Sequence, residues 1–212
     1  MLTKAFTFNP VGENTYLIWD EETREAAIID AGMSNNKENA AVSEFISKKN
    51  LQLKYALLTH MHFDHIWGLS YIKENYNIRP MCHAADETIY NQAPEMTGLF
   101  RLSMNWNLPA IERYIDEGET FKLGNTVIKV LHTPGHTPGG LSYYIESART
   151  VFTGDTIFQG SIGRTDLPGG NLEDEIKSIK NKILTLPAET IIYSGHGQQS
   201  SVEWELKHNP FL

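Results

Sequence analysis

The chain has 212 residues, 41% hydrophobic and 21% charged, a globular composition that excludes the disordered and fibrous classes. Lysine and arginine total 18 against 26 aspartates and glutamates, a formal charge of -8 with no basic concentration, which argues against nucleic acid as a partner. The single cysteine, Cys82, excludes an internal disulfide framework and a Cys-rich zinc site, and it reads as a small buried apolar residue.

Short β-branched and aromatic runs predict strands over 5–8, 15–19 and 26–30, punctuated by Asn9-Pro10, Gly12 and Gly32. Ser34 or Asn35 can cap a helix reaching residue 49, with Ala41, Phe45 and Ile46 at helical spacing. The apolar run 53–58 predicts a buried strand, followed by a helix over 64–76 and an extended piece at 80–82. The stretch 84–117 reads as helix in pieces, broken by Pro94, Gly98 and Pro109; Met96, Leu99, Phe100, Met104 and Trp106 within it are expected to be core rather than a cover over a pocket. Strands return at 126–131, 141–145 and 150–153. A Gly-rich loop over 154–170 precedes a helix at 172–186, a strand at 190–193 and a terminal helix at 202–207. Strands and helices mixed in each half predict a layered α/β architecture, a single domain over 1–212. No apolar signal-peptide core is visible and no window approaches the roughly 18 apolar residues of a membrane span. A soluble, cytoplasmic protein without a membrane partner is therefore expected.

Eight histidines set the chemistry, through their placement. His60-Met61-His62-Phe63-Asp64-His65 puts four metal-ligating side chains into six residues directly after a buried strand. The i, i+2 spacing lets His60 and His62 leave an extended segment on one side, while Asp64 and His65 open the next helix. Three further candidates, His136, Asp155 and His196, each stand beside a glycine at a predicted strand end. Five histidines and two aspartates exceed the needs of one tetrahedral ion. They suit two divalent ions roughly 3.5–4 Å apart, with one carboxylate bridging them. Imidazole and carboxylate donors accept zinc, iron or manganese, and zinc is the expected pair.

The segment 59–65 resembles the Thr-His-x-His-x-Asp-His signature of the metallo-β-lactamase superfamily, and the His136, Asp155 and His196 motifs follow in the family's order. His132-Thr133-Pro134-Gly135-His136-Thr137, Gly154-Asp155-Thr156-Ile157-Phe158 and the run from Gly163 to Gly170 are similar to the small bacterial glyoxalase-II-like proteins. The resemblance implies a four-layer αβ/βα sandwich. It implies one metal on His60, His62 and His136, a second on Asp64, His65 and His196, and Asp155 bridging both. Asp64 and Asp155 are then the expected catalytic carboxylates, and Asp30 the acid behind a metal-bound histidine. The implied reaction is hydrolysis of a small thioester such as S-lactoylglutathione. The alternatives are a mononuclear iron dioxygenase acting on glutathione persulfide and a lactonase of the same fold.

Arg164 stands where glyoxalase II proteins carry a basic residue that contacts glutathione, and it is the expected substrate-binding residue. The competing expectation is a loop brace paired with Asp166, which occupies the position of the family's aromatic contact. The C-terminal helical domain of full-length glyoxalase II is not expected. His83 and His208 read as structural or surface residues, and His132 as either structural or supporting.

Overall fold

Alternation along the second strand sets the layering. In β2 (Glu13–Trp19), Leu17 and Trp19 enter one core while Tyr16 and Ile18 enter another, so both faces of this strand are buried. The computed structural model of the chain describes residues 1–99 and 106–212, and no side-chain detail at Leu99. The expectations for Phe100 and Met104 fall outside these residues.

Among the described residues there are two six-stranded sheets and one short hairpin. The first sheet joins β1 (Leu2–Phe8), β2, β3 (Glu25–Ile29), β4 (Gln52–Leu57), β5 (Pro80–Cys82) and β6 (Arg113–Tyr114) in that order. It is antiparallel from β1 to β3 and parallel from β3 to β6. The second contains β7 (Thr120–Leu123), β8 (Thr126–His132), β9 (Leu141–Ile145), β10 (Thr150–Gly154), β13 (Ile191–Ser194) and β14 (Ser200–Ser201), in the order β14-β13-β10-β9-β8-β7. β11 (Ile157–Phe158) and β12 (Ser161–Ile162) form a hairpin inside the Gly-rich loop.

The sheets face each other across a core in which Ile18, Ile29 and Leu57 meet Val130, Tyr143 and Phe152. Helix α1 (Asn36–Lys48) covers the first sheet through Val42 and Ile46, with Tyr90 and Ala93 of α4 (Glu87–Leu99) in the same cluster. On the far side, Ile179, Ile183 and Val202 cover Val151 and Ile192 of the second sheet. The architecture is thus the expected four-layer αβ/βα sandwich. Among the described residues, no helix is long and apolar enough to cross a membrane. Cys82 is buried, and burial pushes its thiol up, which removes it as a nucleophile at neutral pH.

Asn35 is the cap of α1: its side-chain oxygen accepts from the N–H groups of Lys37 at 3.0 Å and Glu38 at 3.1 Å. Asn35→Ala is expected to lower stability by about 1 kcal/mol, measured by urea unfolding.

Three local expectations are corrected. The helix predicted over 64–76 is two, α2 (Phe63–Ile66) and α3 (Leu69–Tyr76). The break falls at Gly68, whose N–H donates to the Ala31 carbonyl at 2.6 Å rather than to its own helix. Pro94 lies inside α4 without ending it: burial of Tyr90 and Ala93 outweighs the one hydrogen bond that a proline removes. The helix predicted over 172–186 ends as α5 (Leu172–Ser178) and continues as a wide π turn over Ile179–Ile183. α6 (Val202–His208) closes the chain.

Candidate metal centre

Four strand ends deliver the candidate ligands. His60, His62, Asp64 and His65 follow β4, His136 follows β8, Asp155 follows β10 and His196 follows β13. The first group is pinned by Asp30, which adopts φ +51 just beyond β3. One Asp30 carboxylate oxygen accepts the Thr59 N–H at 2.8 Å, and the other accepts the Thr59 hydroxyl at 2.7 Å. That second oxygen also lies 2.9 Å from His65 Nδ1. A carboxylate only accepts here, so Nδ1 carries a proton and His65 Nε2 is the nitrogen left facing the site, free to ligate once a cation displaces its own proton.

The ligand atoms converge in sets of three. Those of His60, His62 and His136 lie within 4.8 Å of one another, and so do those of Asp64, His65 and His196. His62 Nδ1 is 2.9 Å from His136 Nε2, too close for two protons to face each other. His196 Nε2 is 3.2 Å from Asp64 Oδ2. Asp155 stands between the sets: Oδ1 is 3.4 Å from His65 Nε2, and Oδ2 is 3.6 Å from both His136 Nε2 and His196 Nε2. The backbone opposite must be bare for this carboxylate to fit, since a Cβ on Gly195 would sit 2.1 Å from Asp155 Oδ1.

Burial and mutual repulsion push His60 well below the usual histidine range, and burial with the His136 charge pushes His62 down to about 3. Both are therefore neutral, the ligating form. Burial alone would raise Asp155 and lower His65, but attraction between them and their neighbours wins, holding Asp155 ionised and His65 charged. His196 is raised for the same reason, by Asp64 and Asp155 against its own burial. Anionic carboxylates among clustered imidazoles form a donor set that a cation completes. Among the described residues, His60 Nε2, His65 Nε2 and Asp155 Oδ1 are buried without a hydrogen-bond partner, as donor atoms aimed at an ion would be.

Residues 8–196 match the family model described as the metallo-β-lactamase superfamily. The chain belongs to that superfamily. It is 37% identical over 207 residues to the hydroxyacylglutathione hydrolase GloC of Haemophilus influenzae, covering 94% of this chain and 92% of that protein. It is also 37% identical to the probable metallo-hydrolase YqgX of Bacillus subtilis, over 100% of this chain and 98% of the relative. Among solved structures, the BLEG-1 B3 metallo-β-lactamase superposes with a TM-score of 0.88 at 35% identity, covering 100% of this chain and 99% of that one. TTHA1623, solved in a di-iron-bound form, gives 0.87 at 32% identity, covering 99% and 100%. ETHE1 from Myxococcus xanthus gives 0.79 at 28%, covering 99% and 84%. As a metallo-hydrolase of this superfamily the chain has the His/Asp clusters for divalent metal.

Three buried carboxylates of this superfamily member were not legible as part of the site. Glu13, Asp86 and Glu175 are all fully buried. Glu13 lies beside Asp30 and His65, and its backbone pairs with His196; burial pushes its carboxyl well above the usual range. Burial and the Asp155 charge push Glu175 up to about 9. Glu175 ends the run Glu173-Asp174-Glu175, which reads in sequence as the solvated acidic first turn of a helix. Asp86 falls in the stretch 84–117, read from sequence only as helix in pieces.

His83, Asp116 and His132 form one further His/Asp group. His83 Nδ1 accepts the Ala85 N–H at 3.2 Å, so its proton is on Nε2, 3.4 Å from Asp116 Oδ1. That nitrogen already serves a carboxylate, and the ring stacks on His132 at 4.3 Å. This is the structural arrangement expected of His83.

Proposed function

We propose that this chain is a binuclear thioester hydrolase, acting on S-lactoylglutathione or a related hydroxyacyl thioester. The observation that carries it is the position of Asp155, whose Oδ2 lies equally near His136 of one set and His196 of the other while Oδ1 faces His65. His60, His62 and His136 would hold one ion and Asp64, His65 and His196 the other, with zinc as the expected metal. Two such ions supply, when bound, a water acidified toward neutral pH and a Lewis acid for the scissile carbonyl. Asp155 and Asp64 supply the negative charge that keeps the site selective for cations, and Asp30 holds His65 in one tautomer. Water and thioester yield a carboxylate, a thiol and a proton. The name of the GloC relative supports the glutathione thioester.

The cleft above the ligands, about 210 Å³, is lined by Val11, Phe63, Met96 and Leu167 beside His62, His136 and Arg164. Met96 packs against the first core, as expected, and also lines the cleft, while Trp106 packs on the same core and stacks on Trp67. Each expectation for Arg164 has an observation that supports it. It lines the cleft, yet its Nε and Nη2 each donate to an Asp166 oxygen at 2.7 Å. A substrate carboxylate must share that guanidinium with Asp166.

Arg164→Ala is accordingly expected to raise KM for S-lactoylglutathione roughly tenfold with kcat little changed, because such a contact is equal in ground and transition states. Asp166→Asn is expected to lower KM. Equal effects on a short thioester without the tripeptide would make Arg164 a loop brace instead.

The ETHE1 neighbour keeps the mononuclear persulfide dioxygenase as the second reading, and a full second set at Asp64, His65 and His196 argues against it. Metal-replete protein assayed with S-lactoylglutathione, a lactone, a β-lactam and glutathione persulfide separates these. Thioester cleavage without oxygen uptake is expected. Oxygen uptake with persulfide and an inert thioester would overturn the proposal.

A further inference from the structure

His136 is the ligand candidate contributed by the loop between β8 and β9, and it is held from three directions. Its Nδ1 donates to the Arg164 carbonyl at 2.7 Å, which presents Nε2 to the other ligands. Its backbone N–H donates to Glu175 Oε2 at 2.9 Å. Glu175 reaches it from α5 across Gly135, at φ +148, where an added Cβ would lie 2.3 Å from that same oxygen. On the other flank, Asp86 Oδ2 accepts the Thr137 hydroxyl at 2.8 Å and Oδ1 accepts the Gly139 N–H at 2.6 Å.

Asp86 does more than brace one loop. Its Oδ2 also accepts the N–H of Met61 at 3.3 Å, and Met61 stands between His60 and His62. One buried carboxylate therefore joins a ligand segment of the first sheet to a ligand loop of the second. Buried acids are costly, and a role limited to filling space would be met by an apolar side chain of the same volume. The donors at positions 61, 136, 137 and 139 that Asp86 and Glu175 serve are backbone or hydroxyl groups beside the ligands.

We propose that Glu175 and Asp86 are positioning residues for the metal ligands, fixing His136 and the His60–His62 segment relative to each other across the two sheets. The inference rests on the reading that these histidines hold metal. Neither residue touches an ion or substrate; each acts through the backbone it holds.

The test is zinc affinity of the full-length protein by chelator competition, together with the visible spectrum after cobalt loading. Glu175→Ala removes the acceptor for the His136 N–H, and Glu175→Asp draws it back while keeping a carboxyl group and most of the packing. Both are expected to weaken zinc roughly 10- to 100-fold and to shift the cobalt bands at saturating metal, as losses behind metal ligands do. Glu175→Gln keeps a carbonyl acceptor and is expected to restore the parent affinity and spectrum. Asp86→Asn puts an NH2 against its donors and is expected to weaken zinc similarly. Should Glu175→Ala not fold, Glu175→Asp decides. Parent-like zinc affinity and cobalt spectra in Glu175→Asp and Asp86→Asn, with only the melting temperature lowered, would overturn the proposal. A parent protein that binds no zinc or cobalt would overturn the metal reading itself.

Discussion

Asp155→Ala is expected to reduce kcat for thioester hydrolysis by more than about 10³-fold, beyond the roughly 10²–10³ that loss of one electrostatic stabiliser costs. The carboxylate faces both ligand sets at once, so in the proposed binuclear site its loss would weaken the hold on two ions rather than one. The fold is expected to survive. Asp155 lies past the end of β10, and the packing between the sheets rests on Tyr143, Phe152, Ile18 and Leu57, none of which depends on it. The far-ultraviolet circular dichroism of the variant should match the parent, while its bound metal falls below two per chain. Global unfolding of Asp155→Ala would instead make the ions structural supports of the sandwich.

Metal removal is the second large effect. Chelation is expected to abolish hydrolysis and to lower the melting temperature without unfolding the protein at 25 °C. A ligand at a thousand times its Kd stabilises by about 4 kcal/mol per site. For a chain of this size that corresponds to roughly 8–16 °C. The sign follows from the charges. Without cations, Asp64 and Asp155 hold a proton on His65 and raise the proton affinity of His196, while burial keeps His60 and His62 neutral. Rebinding displaces those protons, so zinc should release protons into a weakly buffered solution, and calorimetry in buffers of different ionisation enthalpy measures how many. An unchanged melting temperature after chelation would show that the clustered side chains do not hold the metal.

The ligand candidates were legible because they are local. His60, His62, Asp64 and His65 are packed into six residues, and His136, Asp155 and His196 each carry a flanking glycine, so spacing alone marked them. The layering was legible in the order of strands and helices in each half, and its four layers in the family resemblance; that β2 and β3 alternate between two cores shows only in the fold, because both their faces are buried. What escaped depends on contacts between distant segments. Gly68 breaks a helix because Ala31, far off in sequence, claims its N–H. Glu175 is indistinguishable in sequence from its solvated neighbours Glu173 and Asp174 until α5 is docked on the His136 loop. Arg164 and Asp166 were visible as a pair, but that both guanidinium contacts are spent on Asp166 at the mouth of the cleft is a property of loop geometry.

A stepwise metal titration of the apoprotein, following bound metal and S-lactoylglutathione hydrolysis in the same samples, tests the central claim most directly. The account predicts binding that saturates at two ions per chain, with hydrolysis completed only as the second equivalent enters. Saturation at one ion, with the thioester left intact, would contradict it.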